Sequence, residues 1–163
     1  MTLSKNELLG KIDVLFGNLD DAINDEADEF CSENCLNFLN EWSEAIFKDI
    51  RIKEFPDVAT FAFWIRKSSI ESMKRKYEKK HLLIGRGVSY HIAPSNVPIN
   101  FAFTAVFGLI SGNTSIVRVP SKDFEQIKIV IDALRIVDDS YKYRLMFFRS
   151  NRDLDISAFF SSF

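Results

Sequence analysis

Apolar residues recur at helical spacing through the front of the chain and at strand spacing further on, with the change of period near residue 82. Leu8, Ile12, Leu15 and Leu19 repeat every three or four residues, and Ser4 with Glu7 has the form of a capping box, so the spacing predicts a first helix there. The acidic run "DDAINDEADEF" reads as an exposed turn of helix or a connection. Cys35, Phe38, Leu39, Trp42 and Ile46 line one face of a second helix. After "KEFPDV", Pro56 suits a first helical turn, and Val58, Phe61, Ala62 and Ile65 form a third stripe that runs on towards Tyr77. Residues 1–81 are therefore expected to be a helical N-terminal region of three or four helices.

Beyond His81, "LLIGRGVSYHIA" predicts strand, turn and strand, broken by Gly85 and Gly87 and stopped by Pro94, which cannot donate to a ladder. "GRG" precedes its strand and no G-x-G-x-x-G follows one, so it reads as a simple turn and not a phosphate loop. Pro98 can open a helix over "INFAFTAVFGLIS", which is apolar almost all round and should be buried on most faces before Gly112 ends it. "TSIVRV" is a short β-branched strand. A helix over "SKDFEQIKIVIDALRIV" follows, with Ser121 as N-cap and Phe124, Ile127, Ile131 and Leu134 on one face. "YRLMFF" predicts another strand, and "DLDISAFFSSF" the start of a further helix. Strand, helix, strand, helix, strand with short links implies parallel pairing through right-handed crossovers. The expected fold class is α/β: N-terminal helices, then over residues 82–163 a βαβαβ half of a Rossmann-like sheet. Such sheets bind ligands outside the carboxyl ends of their strands, where "APSNVP" and "RVPSK" fall.

Composition narrows the partners. The 163 residues are 47% hydrophobic and 27% charged, ordinary for one domain with one core. No apolar run approaches the roughly 18 residues of a membrane span, and the N-terminus lacks the pattern of an export signal, so a cytoplasmic location is expected. A formal net charge of -2 argues against an electrostatic grip on nucleic acid. The one basic stretch, "KRKYEKKH" from Lys74 to His81, reads as the solvated end of a helix. Cys31 and Cys35 sit one helical turn apart, and with two histidines in the chain they make no metal-ligand set, so buried or half-buried thiols are expected.

"HIAPSNVP", an apolar helix and then "GNTSIVRVPS" resemble the aldehyde dehydrogenase superfamily, which places a Pro-x-Asn-x-Pro turn after one strand and a Gly-Asn ahead of the next. The closer resemblance is to its acyl-CoA reductase branch, the fatty-acid reductases that supply aldehyde to bacterial luciferase. "FPDVATFAFWIRKSSIESM", with Trp64, Arg66 and Lys67, is similar to the helix preceding the core in that branch. The likeness covers roughly residues 55–160, and it implies a cysteine thiolate that takes an acyl group from coenzyme A and a hydride delivered from NADPH to release an aldehyde.

By the same resemblance Asn96 matches a side-chain oxyanion donor, held by Pro94 and Pro98. Ala93, Pro94 and Ser95 fall at the cofactor edge. Arg118 stands where the superfamily has a ribose-binding Lys, and an arginine there can take a 2′-phosphate bidentately, which tilts the expected cofactor to NADP. Ser121 and Lys122 are secondary candidates for that pocket. Read without the family, Asn96 could instead bond its own turn, Ser121 cap a helix and Lys122 be solvated. The implied partners are an acyl-CoA or acyl-protein thioester, an acyl-protein synthetase and, in solution, further copies of the chain.

The family's nucleophilic cysteine, glycine-rich nicotinamide loop and glutamate base all come later than these motifs, and nothing here matches them. Cys31 and Cys35 lie in an acidic segment that should raise their pKa values. "ISAFFSSF" stops in mid-pattern without a cap. The expectation is an N-terminal piece of a longer reductase, without the catalytic cysteine domain and inactive alone. Two alternatives stay open: a binding module or regulatory partner of a full-length reductase, and a piece of an ordinary aldehyde dehydrogenase.

Overall fold

In the computed structural model, residues 4–24, 26–77, 82–151, 154 and 156–160 are described, and three of the later apolar runs join in one sheet. Strands β2 (Val88–Ile92), β3 (Thr114–Arg118) and β4 (Leu145–Ser150) lie side by side, with β3 central and parallel to both neighbours. Helices α6 (Asn100–Ile110) and α7 (Glu125–Ile136) carry the chain from one strand to the next, as parallel pairing requires. The predicted βαβαβ unit is present and the chain is α/β.

The sheet has a fourth member that the hydrophobic spacing concealed. β1 (Ile12–Phe16) pairs antiparallel with β4, giving the order β1-β4-β3-β2. This corrects the helix expected across Leu8 to Leu19. The capping box on Ser4 and Glu7 does form, but it opens a helix α1 of only Lys5–Leu9, and α2 (Leu19–Asn24) begins afresh. Gly10 closes α1, while Gly17, at φ 76°, turns the chain where a Cβ would stand 2.1 Å from the carbonyl oxygen of Leu145. Between them, the free edge of β4 offers ladder bonds that outweigh a weak helical stripe.

In the front half, α3 (Glu33–Lys48), α4 (Pro56–Trp64) and α5 (Lys67–Tyr77) follow. The third apolar stripe is thus split after Trp64 instead of running unbroken to Tyr77. Residues 78–81, the end of the basic stretch, lie outside the described residues. "LLIG" contributes one bridge, Ile84 to Glu29, and not the first of two strands. Helix α7 starts at Glu125 without a side-chain cap, so Ser121 is not its N-cap and sits in the loop before it.

Alternation along the strands divides the apolar residues between two cores. Val117 and Phe147 face the larger one, with Phe38, Trp42, Phe61 and Phe101 from α3, α4 and α6, all fully buried. Trp42 also donates its indole N–H to the carbonyl of Val130 at 3.1 Å, so its one polar atom is satisfied. Ile116, Met146 and Phe148 face the smaller core, closed by Leu8, Leu19 and the short α8 (Ser157–Phe160). Phe160 stacks on Tyr90 of β2 at 4.6 Å between ring centroids. With about 2–3 kcal/mol for each phenylalanine fully buried, the sheet is held from both sides. Among the described residues no helix is long and apolar enough to cross a membrane.

Candidate functional site

β2 and β3 end level with one another, Ile92 beside Arg118. Each is followed by one more residue and then a proline, which has no N–H for a ladder, so both chains peel away at the carboxyl edge. The departures are anchored: Ala93 N–H donates to the Arg118 carbonyl at 3.0 Å, and Val119 N–H to the Phe148 carbonyl at 2.9 Å. Between the two turns lies a concavity of about 410 Å³.

Its wall brings together six of the residues expected from sequence, namely Ala93, Pro94, Ser95, Asn96, Arg118 and Ser121. Lys122 is not among them; its ammonium sits 5.0 Å from the ring centre of Phe124. Asn96 is exposed, and among the described residues its carboxamide makes no bond back to its own turn. Arg118 donates one N–H to the carbonyl of Asn151 at 3.0 Å, which holds the guanidinium across the end of β4. No carboxylate lines the cavity, so Arg118 is its one charged group among the described residues.

Two residues of β4 were not foreseen. Ser150 completes the wall, and Arg149 reaches back to the loop after β3, donating to the Pro120 carbonyl at 3.2 Å and to Asp123 at 3.3 Å. Lys128 also pairs with Asp123 at 3.1 Å, and together Lys128 and Arg149 hold that carboxyl below its ordinary range. The signal was available: the rule that places ligands at the carboxyl ends of parallel strands applies to "FFRS" as much as to the first two strand ends.

Behind the cavity runs a polar seam. His91 Nε2 lies 2.9 Å from Ser89 Oγ, which donates to the Thr114 carbonyl at 3.0 Å, while Ser115 Oγ donates to the Ala105 carbonyl at 2.9 Å. Gly108 admits this contact, since a Cβ there would stand 2.0 Å from Ser115 Oγ. Helix α6 is thereby seated hard against the strands that carry both turns. Burial lowers the pKa of His91.

The cysteines are elsewhere, and both are buried. Cys31 donates its backbone N–H to Ile110 at the far end of α6, so it lies at the opposite end of the sheet from the cavity. Burial pushes its thiol up to about 11 and that of Cys35 up to about 12. Acidic surroundings were expected to be the cause; desolvation comes first, Asp28 only adds to it at Cys35, and Lys74 opposes it at Cys31. A larger cavity of about 540 Å³ lies at that same end, and Asp28, Tyr141 and Arg144 in its wall are tied to one another or to backbone. Tyr141 donates to Asp28 at 2.9 Å and Arg144 to the carbonyls of Glu26 and Gly112. Among the described residues no cluster could hold a metal ion.

The Trp64 to Lys67 cluster is remote from the cavity and serves packing. Trp64 meets Phe103 and Phe107 of α6 at 5.1 and 5.2 Å, and Arg66 lies over the rings of Phe47 and Phe63.

In comparison with known proteins, the family model described as acyl-CoA reductase (LuxC) fits residues 61–146, from within α4 to the start of β4, just over half of the chain. No curated protein and no solved structure matches.

Proposed function

The chain belongs to the acyl-CoA reductase (LuxC) family, and on that premise we propose that it supplies the cofactor-gripping edge for the NADPH-dependent reduction of a fatty acyl thioester to an aldehyde. The observation that carries this reading is the meeting of Asn96 and Arg118 in one cavity at the carboxyl edge. Among the described residues the wall has one guanidinium, the hydroxyls of Ser95 and Ser121 and no carboxylate, which fits a phosphorylated ribose. Its volume falls within the range of small-molecule sites, roughly 300–1,000 Å³. NADPH, when bound, supplies the hydride. Arg118 would hold its 2′-phosphate, and the hydroxyls of Ser95 and Ser121 would bond the ribose.

Asn96 serves the acyl group. As a thioester carbonyl is attacked, its oxygen gains negative charge, and a carboxamide N–H already aimed at it lowers the barrier by about 3 kcal/mol. The attacking sulfur has to come from elsewhere, because the two cysteines of this chain are buried at the other end of the sheet. Alone, the chain is expected to bind nucleotide and turn over nothing. Incubation of the purified protein with a long-chain acyl-CoA and NADPH checks this: no aldehyde is expected, and robust turnover without another polypeptide would refute the reading.

A second reading is favoured by the unpaired edge of β2, where Ile92 is 59% exposed and Phe107 of the neighbouring helix 51%. There the chain acts as an interaction module or regulatory partner that docks on a full-length reductase. A compact monomer that stays soluble and binds no nucleotide would support it.

A further inference from the structure

Arg118 and Arg149 are crossed. Arg118, at the end of β3, bonds the chain after β4 at Asn151, and Arg149, on β4, bonds the chain after β3 at Pro120 and Asp123. Neighbouring positions in a strand point to opposite faces, and Arg118 stands level with Phe148, so the two guanidinium groups leave the sheet on opposite sides. Only Arg118 lines the cavity. Arg149 grips the loop that holds Ser121 in the wall.

Asp123 gives this grip its consequence. It is two residues beyond Ser121, and a carboxylate so near an anion-binding wall would repel a phosphate dianion. Arg149 and Lys128 both pair with it, at 3.3 and 3.1 Å, and cancel its charge where the cavity is lined.

We propose that Arg149 is a positioning residue for a 2′-phosphorylated nucleotide: by neutralising Asp123 and holding the Pro120 carbonyl, it lets Arg118 and Ser121 select the 2′-phosphate. This rests on the reading of the cavity as a nucleotide site.

The test is calorimetric titration of the chain with adenosine 2′,5′-bisphosphate and with AMP. The unaltered protein should prefer the bisphosphate. Arg118→Gln should erase the preference, and Arg149→Gln should cut it about tenfold while leaving AMP binding alone, the effect expected from losing one charge-assisted contact. Arg149→Lys should keep most of it, and Asp123→Asn combined with Arg149→Gln should restore it. A preference unchanged in Arg149→Gln, or an equal loss for both nucleotides in that variant and in Arg149→Lys, overturns the positioning role alone. An unaltered chain that binds neither nucleotide overturns the nucleotide reading and the positioning role with it.

Discussion

At the scale of single residues, His91 connects protonation to folding. Its ring is partly buried beside Ser89, and desolvation holds its folded-state pKa below the ordinary histidine value of about 6.5. Once the pH falls below that value the unfolded chain takes up a proton that the folded chain refuses. The stability tied to this residue is therefore complete above about pH 6.5 and declines as the pH drops from there towards the folded-state value. Thermal melts between pH 7.5 and 5 should show a smaller acid-side fall in Tm for His91→Gln than for the unaltered protein; parallel curves would mean that the ring is solvated. Carboxylates such as Asp28 and Asp49, whose pKa values are lowered, act further down the scale and affect both proteins alike.

At the scale of elements, Gly108 decides how closely α6 approaches the sheet. In an exposed helix, exchanging glycine for alanine would stabilise by about 1 kcal/mol. Here the added methyl meets Ser115 Oγ at 2.0 Å and Ser89 Oγ at 2.7 Å, so the sign reverses. Gly108→Ala is expected to lower stability by about 1–3 kcal/mol in urea unfolding. A gain in stability would mean that the helix stands further from the strands.

Period and punctuation made most elements legible. α3, α6 and α7 bury the faces that their apolar spacing marked, β2 and β3 fall on the runs around "VSYHI" and "TSIVRV", and β4 falls on the apolar run of "YRLMFF". β1 escaped because Leu8, Ile12, Leu15 and Leu19 satisfy a helical period across what are three separate elements, and only the partner strand, over a hundred residues later, reveals which period applies. The cavity was legible for a local reason: prolines after two adjacent strands force both chains outward at the same edge. Arg149 was not, because an arginine ending an apolar strand carries no local mark, and its role follows from a loop that the sequence places 26 residues away. Ser121 was legible in two ways, as a helix cap and as a secondary candidate for the pocket; Phe124 holds the cap position, and Ser121 lines the cavity.

On the scale of the whole molecule, the two edges of the sheet are unlike. Among the described residues the antiparallel β1 ends the sheet beside β4, and the parallel β2 ends it beside β3. An edge strand with unpaired peptide groups and exposed apolar side chains promotes association. Ile92→Lys places a charge there at little cost in burial, since Ile92 is already 59% exposed. Sedimentation equilibrium should show a larger monomer fraction for this variant, with Tm within about 2 °C of the parent as for most surface substitutions. An identical mass distribution for both proteins would place self-association on another surface.

The sheet ends in β1 on one flank and in β2 on the other, and of these two outer strands β2 is the one that runs directly into the turn carrying Asn96. A strand added beside β2 would continue the ladder next to that turn, whereas one added beside β1 would lie on the far side of the sheet. Growth at the two flanks is therefore not equivalent, and the antiparallel strand at residues 12–16 lies on the flank away from the Asn96 turn.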